Sequence, residues 1–270
     1  MIKGRSPFPF ETIAAAVSFS PGLEAIVVET KRLCYLHGAL AVFIHIGKKT
    51  GDKQRQLTAL LNANGFHDGN SRIYWEQADG LNSLLQVCKH EVVDLLLAGI
   101  SDKDNFHLPA GHFAKELVAK AKCSLMLFSR QSPGSGYKNI FVHAPDHRKT
   151  EFTLSAGLYF AEKENADKLM IFDESIEFSA ESEETTIQAL KKWSFAMRTA
   201  LEQAKVHVTY GSSAGVSANE FAFQNNADLL ILNSTDHHLR IFDRIFSGTL
   251  ERTVSDPACH VLIVHSRLED

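Results

Sequence analysis

Long apolar runs are missing from this chain. No stretch approaches the ~18 apolar residues that a membrane-spanning helix needs. The opening segment, MIKGRSPFPFETIAAAV, has basic residues ahead of an apolar patch, but Pro7, Pro9 and Glu11 interrupt it. What remains apolar is too short for a secretion signal, so a soluble, cytoplasmic protein with no membrane partner is expected. Charge of one sign is not in excess either: 28 Lys and Arg face 32 Asp and Glu, a formal net charge of -4. That balance gives no electrostatic ground for a nucleic-acid partner. Cysteine is scarce, with only Cys34, Cys88, Cys123 and Cys259, far apart and never in a CxxC pair. This excludes a zinc knuckle and a disulfide framework, and it leaves buried free thiols in a reducing compartment as the expectation.

What is present is an internal parallel. Asp94-Leu95-Leu96-Leu97-Ala98-Gly99 matches Asp228-Leu229-Leu230-Ile231-Leu232-Asn233 in pattern. Cys123-Ser124-Leu125-Met126-Leu127-Phe128 matches Cys259-His260-Val261-Leu262-Ile263-Val264, and Thr12 to Val17 matches Asn139 to Ala144. The order is the same in both halves, at a spacing near half of the 270 residues. Between the halves, Gln131-Ser132-Pro133-Gly134-Ser135-Gly136 breaks regular structure and reads as a joint. The expected domains are 1–130 and 138–270, with 131–137 as linker.

Within each half, short apolar runs alternate with longer helical patterns. Strands are expected at about 12–18, 40–46, 71–76, 93–99 and 124–128, then at 138–144, 168–172, 206–210, 228–233 and 260–265. Helices fit 21–37, 52–65, 80–90 and 111–121, then 149–163, 184–204, 216–225 and 243–255. Strand–helix alternation implies an α/β fold with a parallel sheet covered on both faces. Right-handed crossovers make each half a doubly wound sheet. The acidic run DESIEFSAESEE at 173–184 reads as a solvated loop.

Each half resembles the universal stress protein family, and the whole chain resembles its tandem members. AAAVSFSPGLEAI (14–26) is similar to that family's first strand and turn, written AVDxSxxS. GISD-x8-GH (99–112) and STDH-x9-SG (234–248) are similar to its phosphate loop, GxxG-x9-G[ST]. PACHVLIV (257–264) is similar to its final strand. The resemblance implies a five-stranded parallel sheet of order 3-2-1-4-5 in each half. It also implies that the fifth strands, 124–128 and 260–264, meet, so that the tandem chain forms an intramolecular pseudo-dimer. Association into a homodimer is left open.

The resemblance implies ATP as a ligand, but both loops depart from the pattern. Glycines in such a loop let the backbone approach phosphates with no Cβ in the way. Peptide N–H groups and a helix N-terminus then meet the charge. The first half keeps Gly99 and Gly111, with Asp102 for the second glycine and His112 for Ser or Thr. Ser18 stands where the family has its first-strand acid. Asp102 and Asp104 place carboxylates where like charge opposes a phosphate. In the second half Ser234 and His237 replace glycines, and Ser247-Gly248, followed by Thr249, reverses the usual Gly-Ser order. Pro145 takes the acid's position, with Asp146 beside it, and Arg240 and His237 suit an anion. Tight ATP binding is therefore not expected in the first half, and weak binding or none in the second. The expected function is a stress-response module that binds a small molecule or a protein and is not an efficient enzyme. The alternative is a phosphorylated-metabolite site in the second half.

A third reading rests on histidines. His143, Asp146 and His147 follow the second half's first strand, and Asp236, His237 and His238 follow its fourth. In a 3-2-1-4-5 sheet these strand ends adjoin, so a divalent ion such as zinc has suitable ligands there. The plainer alternative is solvated loop residues, with Asp236 capping a helix. Gly-Ser-Ser-Ala-Gly (211–215) imitates a hydrolase elbow, which needs a strained strand-turn-helix with an acid and a histidine in order. As aligned it follows the third strand and opens the third helix, and its small residues read as bordering the ligand crevice.

Overall fold

The computed structural model describes residues 8–77, 80–99, 116–118, 120–128, 136–143, 150–172, 207–211, 218–233 and 259–265. The chain divides into two compact units; of the described residues, 8–128 and His265 fall in the first and 136–233 and 259–264 in the second.

In the first unit the strands are β1 (Thr12–Ala16), β2 (Leu40–Ile46), β3 (Ser71–Glu76), β4 (Leu95–Gly99) and β5 (Ser124–Phe128). They pair in parallel in the order β3-β2-β1-β4-β5. Strands covered on both faces must be apolar throughout, and Ile13, Val42, Phe43, Leu95, Leu96, Leu97 and Met126 are all fully buried. Helices α1 (Leu23–His37), α2 (Gly51–Ala63) and α3 (Gly80–His90) make the connections. Thr50 caps α2, its hydroxyl accepting the Lys53 N–H at 3.3 Å. Edge strand β3 is tied to the end of α3 by the buried Glu91 carboxylate, which accepts hydrogen bonds from Arg72 and the Tyr74 hydroxyl. Burial pushes that carboxyl up, but the two donors outweigh it and hold it below the usual range.

The second unit has the same connectivity. Its strands are β6 (Asn139–His143), β7 (Lys168–Phe172), β8 (His207–Gly211), β9 (Leu229–Asn233) and β10 (His260–Val264). They pair in parallel as β8-β7-β6-β9-β10. Helix α4 (Thr150–Lys163) lies between β6 and β7 in the chain, and α5 (Ala218–Gln224) between β8 and β9.

Two details recur at corresponding places. The first is a carboxylate staple. Asp94, just before β4, accepts the N–H groups of Glu11 and Thr12 on one oxygen, at 2.7 and 2.9 Å. Asp228, just before β9, does the same for Lys138 and Asn139, at 2.8 and 2.7 Å. The second is a left-handed residue after a helix. Gly38 (φ 68°) follows α1 and Asn165 (φ 48°) follows α4. Val92 (φ 51°) follows α3 and Asn226 (φ 53°) follows α5. Glycine and asparagine visit this region readily, whereas a β-branched residue is strained there. Val92 is 66% exposed, so its side chain gains little from burial in return. Val92→Asn, which copies the second unit, is expected to raise stability by about 1 kcal/mol. A urea-unfolding midpoint that falls instead would refute this reading.

Several boundaries differ from the expected ones by a residue or two, and two of them have a visible cause. β1 stops at Ala16 rather than at 18, because the Val17 carbonyl accepts a side-chain hydrogen bond from His45, at 2.9 Å, and leaves the strand ladder. β4 begins at Leu95 rather than at 93, because Val93 N–H still bonds the Cys88 carbonyl at the end of α3 and Asp94 serves as the staple. All four cysteines are buried free thiols. Burial pushes Cys34 up to about 12, and burial with the nearby Asp228 charge does the same for Cys259. Among the described residues no helix is long and apolar enough to cross a membrane.

Candidate functional site

In an open parallel sheet, ligands bind outside the carboxyl ends of the strands, where the strand order reverses. In the first unit that point lies between β1 and β4. The register Ala16↔Ala98 brings Ser18 and Gly99 to adjoining strand ends. Ser18 lies in the turn after β1, and its hydroxyl pairs with that of Ser20 at 3.0 Å. The group at this place is thus a short neutral hydroxyl, already engaged with its neighbour. Gly99 is the exposed last residue of β4.

Beside the turn, the ends of β1, β2 and β3 build a cluster around His45. His45 is only 4% exposed and is the register partner of Trp75 on β3. Its Nδ1–H donates to the Val17 carbonyl at 2.9 Å, so its Nε2 carries the lone pair. Lys53 Nζ donates to that Nε2 at 3.5 Å. The imidazole meets Phe19 edge-on at 4.8 Å and Trp75 at 5.1 Å, and Phe19 and Trp75 lie nearly parallel, 6.1 Å apart. Lys53 Nζ lies 5.2 Å from the Phe19 ring centre, and Lys49 Nζ lies 5.6 Å from that of Trp75. Burial holds His45 below the ordinary imidazole range; the Val17 hydrogen bond opposes this and the Lys53 charge adds to it. The ring is therefore neutral at pH 7. Gly47 makes the turn possible: its φ is 135°, and a Cβ there would come within 3.3 Å of His45 Nε2.

In the second unit, His143 is the last residue of β6 and is buried in the sheet, so it is a strand residue and not part of a solvated loop. The register Val142↔Ile231 places it beside the end of β9. Asp102, Gly111, His112, Asp146, His147, Ser234, Asp236, His237, His238, Arg240, Ser247, Gly248 and Thr249 lie outside the described residues. Among the described residues no group of three His, Cys, Asp or Glu is arranged to hold a metal ion. Gly211, the first residue of the elbow-like segment, closes β8, and 212–217 lie outside the described residues.

Of the residues expected in the site, then, only Ser18 and Gly99 are seen together. The sequence reading missed Phe19, His45, Lys49, Lys53 and the contacts of Trp75. One signal was there to be read: HIGKKTGDK (45–53) runs from a strand-ending histidine through a glycine turn into a lysine-bearing helix start.

No protein family model matches the chain, and no curated protein matches it. Solved structures do. A universal stress protein from Archaeoglobus fulgidus DSM 4304 superposes with a TM-score of 0.61 at 11% identity, covering 98% of this chain and 100% of that one. The chain has the universal stress protein fold. A functionally unknown protein from Pseudomonas aeruginosa PAO1 shares it, with a TM-score of 0.65 at 11% identity, covering 96% of this chain and 94% of that one. Identity this low shows the fold alone. The strand ends described above are the crevice side of an open parallel sheet, and the Phe19–His45–Trp75 cluster stands beside that crevice.

Proposed function

We propose that this chain is a tandem stress-response module of universal stress protein type. In this reading it binds a small molecule or a protein partner in the cytoplasm, has lost the grip on triphosphate, and does not turn over nucleotide. The observation that carries the reading is the turn after β1. Where the family pattern has an acid, Ser18 presents a hydroxyl paired to Ser20, and the next residue, Phe19, packs its ring against His45 and Trp75. A short hydroxyl cannot hold a ribose or base as a carboxylate does, because charge-assisted hydrogen bonds are about twice as strong as neutral ones. The loop sequences support the same reading, since Asp102, Ser234 and His237 add bulk or negative charge where bare peptide is needed, and His112 replaces the hydroxyl residue.

Calorimetry with ATP and Mg²⁺ on the full chain tests this. No saturable heat is expected at submillimolar nucleotide. Submillimolar binding that disappears in Gly111→Val or Gly248→Val would overturn it. Native mass spectrometry of the protein as purified then identifies any small molecule that it retains.

A further inference from the structure

The lysines of the His45 cluster are unusual in what they face. Lys49 and Lys53 meet no carboxylate among the described residues; their contacts are the rings of Trp75 and Phe19 and the lone pair of His45. Asp52, between them in sequence, pairs with Arg55 instead. Both lysines stand at or just before the start of α2, where the helix dipole already makes the surroundings positive. Two ammonium groups beside half-exposed aromatic faces, with no carboxylate partner among the described residues, form a surface that is electropositive and apolar at once. The Thr50 cap fixes the backbone of this turn, and the His45–Val17 hydrogen bond fixes the imidazole, so the arrangement is held by the fold and does not depend on a ligand.

We propose that this rim, at the carboxyl ends of β2 and β3, binds a small aromatic carboxylate. Its ring lies on Trp75 in place of the Lys49 ammonium, and its carboxylate is shared by Lys49 and Lys53. The chemistry follows from the parts. Benzenoid rings stack on indole in an offset arrangement at about 4.5–7 Å between ring centres, the spacing that Phe19 already keeps from Trp75. A lysine drawn off a ring face exchanges a weak cation–π contact for a charge-assisted hydrogen bond. His45 Nε2, which accepts from Lys53 in the free protein, keeps that lysine oriented toward the rim. This inference deepens the reading of the first unit as a ligand module and rests on it for the location of the site.

The experiment uses the full chain carrying Trp193→Phe, which leaves Trp75 as the sole tryptophan. Its emission is titrated with phthalate, with cyclohexane-1,2-dicarboxylate (the same charge without the aromatic ring) and with sulfate. Phthalate is expected to quench Trp75 saturably. Lys49→Gln and Lys53→Gln should each weaken the apparent affinity by about tenfold, the size of one lost charge-assisted contact, while Lys49→Arg retains it. Lys49 is exposed, so Lys49→Gln leaves the melting temperature unchanged and keeps the test clear of folding. A linear quench, an equal response to sulfate or to the saturated diacid, or glutamine variants that bind as the parent does would each overturn the inference. Failure here with no ATP binding removes only this ligand class. Tight ATP binding removes the proposed function, whatever phthalate does.

Discussion

Gly157→Ala is expected to destabilise the second unit by about 2 kcal/mol, within the range for an overpacked core. The direction is opposite to the usual one, since Gly→Ala inside a helix normally gains about 0.5–1 kcal/mol. Gly157 lies in the middle of α4, and a Cβ there would come within 2.4 Å of Val142 Cγ2 on β6 and 3.4 Å of Leu169 Cδ1 on β7. Val142 is fully buried and β-branched, so it has almost no rotamer to retreat into. The first unit solves the same packing problem with the sizes exchanged. At the corresponding positions its helix carries Thr30 and its strand carries Ala15, both fully buried. The Thr30 hydroxyl there is spent on its own helix, donating to the Ile26 carbonyl at 2.7 Å. Val142→Ala combined with Gly157→Ala should therefore recover most of the loss, an interaction between neighbours that a double-mutant cycle measures directly. If Gly157→Ala raises the urea midpoint, or if Val142→Ala makes it worse in proportion, the close approach has been misread.

The second large effect is expected at the carboxylate staples. Asp94→Ala and Asp228→Ala should each cost about 2–4 kcal/mol, because each removes one charged acceptor that serves two backbone N–H groups. These bonds join the residue before the fourth strand to the start of the first strand, beside the backbone bonds from Asp94 N–H to the Thr12 carbonyl and from Asp228 N–H to the Asn139 carbonyl. Replacement by asparagine keeps an acceptor oxygen and loses the charge, so Asp94→Asn and Asp228→Asn should cost less than half as much. Urea unfolding of the four variants checks this. Alanine variants within about 0.5 kcal/mol of the parent, the ordinary range for surface changes, would show that water replaces the carboxylate without loss.

The strands were legible because burial on both faces leaves a continuous apolar run that little else in a soluble chain produces. β2 falls at the expected residues for that reason, whereas the edge strand β3, SRIYWE, was legible from its β-branched and aromatic content. Pairing Thr12 with Asn139 and Asp94 with Asp228 placed the two staples correctly, although nothing in the sequence said that these aspartates reach backward across the sheet. The strand ends were less legible, since they depend on side chains taking hydrogen bonds from the ladder, as His45 does at Val17. The aromatic–lysine cluster was legible only in its 45–53 segment, not as a cluster. His45 and Trp75 are far apart in the chain and meet only because β2 and β3 pair in that register. Phe19 joins them from a turn with no periodic pattern. The phosphate-loop expectation read one segment at a time and so could not see a site made by three strands together.

The buried thiols carry a consequence for how the molecule can be observed. Cys34 and Cys259, raised to about 12, stay protonated at any working pH, so an alkylating reagent meets a thiolate only after the surrounding core has opened. Cys34 belongs to the first unit and Cys259 to the second. Their labelling rates, followed separately by peptide mass, therefore clock the breathing of each half in the intact native chain, with no probe introduced.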